Sequence, residues 1–269
     1  MPGYRRTKSA AELDRLRLAH GNEQFAGIFR GLCGKDRAYA ARLLNDGRLQ
    51  FPSFFLLHKD IDELGLAGEL SEGRRMAHEL DGALASPVQD EPWKRRPEHV
   101  TALQWMLRTG AREEGMGWQY DAVMDRAAAL LAREHGDRQC LPIIAGMAFA
   151  RRRGGQYAGD AEWALFESGD PACLGLVAAR LSSRNASDIE QARRMLNFIP
   201  CIGENAGNPA LQRRRASRWI ARNRPRLRYT GLGSQQGPNP VRFEIVDEAP
   251  PPSQPRRASR ALSRKGMGT

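Results

Sequence analysis

Asn22-Glu23-Gln24-Phe25-Ala26-Gly27-Ile28-Phe29-Arg30-Gly31-Leu32-Cys33-Gly34 decides the fold class. Phe25, Ile28, Phe29 and Leu32 recur at the spacing of one face of a 3.6-residue helix, Asn22 stands at a capping position, and Gly34 closes the pattern. The same grammar recurs on both sides. Upstream, Ser9-Ala10-Ala11-Glu12 reads as a capping box opening a helix with Leu13, Leu16 and His20 on one stripe, ended by Gly21. Downstream, a third helix is expected over 36–45 with Leu43 and Leu44 inward. Pro52 then breaks the chain, and Ser53 is expected to cap a helix with Leu57, Ile61 and Leu64 on one face. Ser71 opens a fifth helix that reaches Leu84.

Residues 85–97 carry three prolines and are the expected boundary, because such a stretch cannot continue a helix. Beyond it Val100, Leu103 and Leu107 form a stripe, and further helices are expected at about 121–135, 139–152, 159–168, 171–183 and 188–199. The last follows a second capping box, Ser187 to Glu190. The fold class expected is mainly α, an irregular multi-helix bundle or short α-solenoid, ending in a small β-hairpin and a disordered tail. The divisions are 1–84 and 98–200 as helical subdomains, 201–248 as a basic helix plus hairpin, and 249–269 as tail.

Composition agrees with helices. Aromatics are only 7% of the 269 residues, apolar residues 41%, and Ala, Leu and Arg dominate, types that lose little rotamer freedom in a helix. The net charge of +11 is unevenly placed: residues 200–269 hold 14 basic against 4 acidic side chains, leaving 28 against 27 for the rest. Only five basic residues are Lys. Cys33, Cys140, Cys173 and Cys201 form no CxxC pair and sit in apolar helical contexts, where a thiol acts as a small hydrophobe. With no apolar run after Met1 and none long enough to span a bilayer, a cytoplasmic or intra-particle setting is expected.

Asp170-Pro171 opening one helix, and Ser187-Asp188-Ile189-Glu190-Gln191-Ala192-Arg193-Arg194-Met195-Leu196 forming another, resemble HEAT-type helical repeats over about 97–200. That resemblance implies a binding or scaffold surface rather than catalysis. An irregular bundle obeying the same packing rules fits the same residues.

The C-terminal arm carries the basicity. Asn208-Pro209 is a helix start, an N-cap followed by Pro at the first helical position. Arg214, Arg218 and Arg222 then recur at i, i+4 and i+8 beside Arg215, with Ala216 and Ile220 opposite to anchor the helix. Such a face costs a few tenths of a kcal/mol per like-charged pair, which an anionic partner would reverse. Arg224-Pro225-Arg226-Leu227-Arg228-Tyr229 and Val241-Arg242-Phe243-Glu244-Ile245 alternate as strands do, predicting a hairpin with Leu227, Tyr229, Val241, Phe243 and Ile245 inward. The glycine-rich Gly231–Gly237 stretch is not a phosphate loop, because Pro238 and Pro240 forbid the helix it needs. The string Arg-Arg-Ala-Ser-Arg occurs at 214–218 and again at 256–260, where phosphorylation of Ser217 or Ser259 would cancel charge.

Catalytic signatures are missing. His78-Glu79-Leu80-Asp81-Gly82 approaches a two-histidine zinc pattern, but Gly82 stands where the second ligand belongs. Asp60, Asp62 and Glu63 point in different directions on a helix, and Glu113, Glu114, Glu162 and Glu167 have no partner legible in sequence. Trp105, Trp118, Trp163 and Phe166 are expected to fill the core, and Arg151-Arg152-Arg153 to end a helix, with an extension of the basic surface only the second reading of that triplet. No cofactor, metal or catalytic residue is expected. The reading favours a non-enzymatic adaptor whose Arg214, Arg215, Arg218, Arg222, Arg224, Arg226 and Arg228 contact nucleic acid or another anionic polymer. A structural subunit of a capsid, coat or filament is the alternative, and an enzyme with a motif-less helical site the third; protein partners or self-assembly suit the first two, and membrane insertion none.

Overall fold

The computed structural model describes residues 11–85, 96–113, 115–203, 208–231 and 243–246. The fold is mainly α, with one small two-stranded sheet. The first half contains α1 (Glu12–His20), α2 (Asn22–Lys35), α3 (Arg37–Leu44), α4 (Phe51–Leu56), α5 (His58–Glu63) and α6 (Glu72–Ala85). Next come α7 (His99–Gly110), α8 (Trp118–Ala129) with a π turn over Leu130–Glu134, α9 (Leu141–Arg153), α10 (Gly159–Glu167), α11 (Ala172–Arg180) and α12 (Ala186–Met195). The arm consists of α13 (Pro200–Gly203), α14 (Pro209–Asn223), a 3-10 turn over Arg224–Arg226, and strands β1 (Leu227–Tyr229) and β2 (Phe243–Ile245). Among the described residues no helix is long and apolar enough to cross a membrane.

In α2 the buried stripe is Phe25, Phe29 and Cys33, while Ile28 and Leu32 lie on its shoulder. The core runs without a break from α1 to β2. It crosses the proline-rich stretch, where Trp105 of α7 and Tyr120 of α8 pack on Phe51 of α4 with ring centroids 5.7 and 5.8 Å apart. Residues 86–95 within that stretch lie outside the described residues.

Several local expectations change. Pro52 does not break the chain; it occupies the first turn of α4, where a missing N–H costs nothing. Ser53 is no cap. It is fully buried and donates to Asp14 Oδ1 at 2.6 Å while accepting from Arg17 Nε at 3.0 Å. The α12 cap is Asn185, which accepts from the Ser187 amide, so Ser187 lies inside the helix. The α1 cap position is Ala11, without a side-chain bond, and Ser9 lies outside the described residues. Trp118 is 76% exposed: as the first residue of α8 it precedes the turns that meet the core. Trp105 and Trp163 are half-buried and Phe166 fully buried.

Candidate functional site

Helix α14 is held by a narrow stripe. Gln212, Ala216, Ile220 and Asn223 are buried, at the i, i+4, i+8, i+11 positions that bring side chains onto one face. Gln212 accepts from Arg193 Nε of α12 at 3.0 Å, Phe198 meets Trp219 edge-on at 6.2 Å, and Arg213 donates to Ser182 Oγ at 3.0 Å. Asn208 caps the helix by accepting from the Ala210 amide at 2.9 Å, and Pro209 follows. The start and the anchoring residues expected from sequence are therefore as observed.

Arg214, Arg215, Arg218 and Arg222 are exposed on the far side. At 100° per residue they form a fan about 100° wide, roughly opposite the buried stripe. Among the described residues these four make no hydrogen bond or ion pair, and residues 208–231 contain eight arginines and no carboxylate. Several arginines elsewhere are neutralised. Arg151 is buried with its Nη1 2.6 and 2.7 Å from the two Asp125 oxygens, and Arg153 donates to the buried Asp188 at 2.9 Å. Of the Arg151–Arg153 triplet, which ends α9, only Arg152 is both exposed and without a carboxylate partner among the described residues.

Arg224 and Arg226 sit exposed on the 3-10 turn rather than on a strand, because β1 begins only at Leu227. Arg228 is set apart: half-buried, it donates to the Leu227 carbonyl at 2.8 Å and faces Glu244 across the antiparallel ladder. Leu227 and Phe243 are buried and Tyr229 half-buried, as a docked hairpin requires, but Ile245 is 38% exposed at the strand end and so is not inward. Val241, residues 232–240, the second Arg-Arg-Ala-Ser-Arg string and the tail lie outside the described residues; Ser217 is exposed.

A second cluster lies between α5 and α6. His78 of α6 and His58 of α5 have ring centroids 4.2 Å apart. His78 Nε2 is 2.8 Å from Asp62 Oδ1, and His58 Nε2 is 3.7 Å from Asp62 Oδ2. On the other edge of the ring, His58 Nδ1 lies 2.9 Å from Asp81 Oδ2, an ion-pair distance without an aligned hydrogen bond. The Asp81 carboxylate holds the His58 pKa above its ordinary value, and burial pushes Asp81 itself upward. Asp62 and His58 are one helical turn apart on α5, so both face α6.

This cluster escapes a reading by sequence pattern. Position 82 is one turn beyond His78, where a second ligand on the same helix would stand. Gly82 leaves that space open: a Cβ there would lie 3.4 Å from Cε1 and 3.6 Å from Nε2 of His58. The imidazole from the neighbouring helix packs against this position at van der Waals distance. The other acidic side chains do not converge. Asp60 pairs with Arg30 at 2.5 Å, Glu113 with Arg17 at 2.8 Å and Glu162 with Arg194 at 2.5 Å, while Glu167 lies 3.6 Å from Arg133; Glu114 lies outside the described residues.

Comparison with protein-family models, curated proteins and solved structures finds no match to this chain.

Proposed function

We propose that this protein is a non-enzymatic helical adaptor that grips an anionic polymer, nucleic acid first, through the arginine face of α14. The observation that carries this reading is the contrast in charge pairing. Several body arginines, Arg17, Arg151 and Arg153 among them, are held by carboxylates, whereas Arg214, Arg215, Arg218 and Arg222 share one exposed face without one. Guanidinium groups so arranged repel each other in the free protein, and a row of phosphates relieves that repulsion while accepting forked hydrogen bonds. From Arg214 to Arg222 the helix rises about 12 Å. Projected on the axis of a duplex, where one strand carries a phosphate about every 3.4 Å, that length spans about three to four phosphates. Arg224 and Arg226 extend the same positive end, and Arg228, facing Glu244, contributes least. A scaffold role for the body that carries this helix is what the resemblance of Asp170-Pro171 and Ser187–Leu196 to HEAT-type repeats would imply.

The test is fluorescence anisotropy of the full chain with labelled duplex and single-stranded oligonucleotides across a salt series. Neutralising about four phosphates gives a slope of log affinity against log salt near −3 to −4. Changing Arg214, Arg215, Arg218 and Arg222 together to Gln should abolish most of the slope. Absence of binding at low salt, or a quadruple variant that binds like the parent, overturns the reading.

A further inference from the structure

We propose that His58, Asp62 and His78 form a binding site for one divalent transition-metal ion of the zinc class. Two imidazoles and a carboxylate are a borderline-soft donor set that suits such an ion and is poorly suited to calcium or magnesium, which take oxygen ligands. All three donor atoms lie within 4.8 Å of one another. Bonds of about 2.0–2.2 Å to one tetrahedral ion require donors separated by about 3.3 Å. The two separations that involve Asp62, each to one of its oxygens, lie on either side of that value: 3.7 Å from His58 Nε2 to Oδ2, and 2.8 Å from His78 Nε2 to Oδ1. Asp62 is 58% exposed, so its carboxylate can turn to present one oxygen to both imidazoles.

Three further features suit the assignment. Both Nε2 atoms face Asp62, so the donor atoms converge from two different helices rather than from a run of acids on one. Asp81 lies at 2.9 Å behind His58 Nδ1 and is 3% exposed; on alignment of that contact into a hydrogen bond it would orient a ligating imidazole and fix its tautomer. The His58 ring packs against position 82, one turn beyond His78, and so lies beside the second imidazole. With three protein donors and an exposed Asp62, a fourth coordination position stays open to water or an exchangeable ligand.

The experiment uses the untagged full chain, stripped with EDTA and dialysed, titrated calorimetrically with zinc(II) and spectroscopically with cobalt(II). One saturable ion per chain is expected, with cobalt(II) absorption of a low-coordinate nitrogen–oxygen site and a melting temperature raised by zinc and restored by EDTA. Asp62→Asn, at an exposed position outside the core, should weaken binding at least about tenfold, and Asp81→Asn about 10–100-fold without touching the ion. His20→Ala, on the exposed end of α1, should bind as the parent does. Lack of a one-to-one stage, or an Asp62→Asn chain of parental far-ultraviolet circular dichroism that binds with parental affinity, overturns the site. Loss of binding on His20→Ala with retention in Asp62→Asn overturns it equally, by placing the ion elsewhere.

Discussion

Replacing Gly110 by alanine is expected to destabilise the protein, although helix propensity argues the reverse. Gly110 ends α7, and propensity alone would favour alanine by up to about 1 kcal/mol. The added methyl, however, would strike the Tyr120 hydroxyl and lie 3.1 and 3.2 Å from Met124 Sδ and Cε. Tyr120 has nowhere to go. It is 1% exposed, stacked on Phe51, edge-on to Phe55, and donates to the Gly110 carbonyl at 2.9 Å. Forced repacking of a close-packed core costs about 1–3 kcal/mol, and losing a buried hydrogen bond about 1–2 kcal/mol. After subtracting propensity, the net loss is about 1–4 kcal/mol. Urea unfolding at 25 °C would measure it, alongside melting temperatures that fall by about 2–4 °C per kcal/mol for a chain of this size. Tyr120→Phe supplies the control, because it removes the oxygen that the methyl strikes. The double variant should therefore cost about 1–2 kcal/mol less than the sum of the single changes. A neutral or stabilising Gly110→Ala, or an additive cycle, would refute the steric reasoning.

Burial raises the Asp14 pKa despite the bonds from Ser53 and the Gln50 amide and the charge of Arg17. The folded state thus holds this proton more tightly than the unfolded chain. The carboxylate's contribution falls as pH rises from its ordinary value of 3.8 through the folded pKa, then levels off. The stability of the parent relative to Asp14→Asn, from urea unfolding at a series of pH values, should decline across that window; a difference that grows with pH contradicts the sign. Burial also pushes the Cys140 thiol up to about 12 and raises Cys173, while Cys201 is only half-buried. Iodoacetamide at mildly alkaline pH should label Cys201 first, read by peptide mass spectrometry, and Cys140 and Cys173 only on unfolding; equal labelling of Cys140 would show that burial does not protect it. At the arginine face, Arg218→Gln should reduce the magnitude of the salt slope by about 1, while Arg75→Gln on α6, exposed but far along the chain, should leave it unchanged.

Helix class, the Asn208-Pro209 start of α14 and its Ala216/Ile220 anchor were legible in the sequence, because caps and 3.6-residue periodicity are set within a few residues. The opposing arginine face is legible for the same reason: once one side of a helix is docked, the other is exposed. Its standing as an unpaired charge was not. Arg151 and Arg153 look equally basic on paper, yet Asp125 and Asp188, 26 and 35 residues away, neutralise them. Likewise Ser53 resembles a cap until Asp14 and Arg17 enclose it, and Trp118 resembles core until α8 turns its first residue outward. The histidine cluster is the clearest case. His58 and His78 are twenty residues apart on different helices, and a pattern confined to one helix finds only Gly82 where a ligand is sought. Local chemistry determined which segments became helices and which faces they could bury. Only tertiary structure decided which charges meet, because pairing depends on the path of the chain between helices, and that path is settled by packing rather than by spacing.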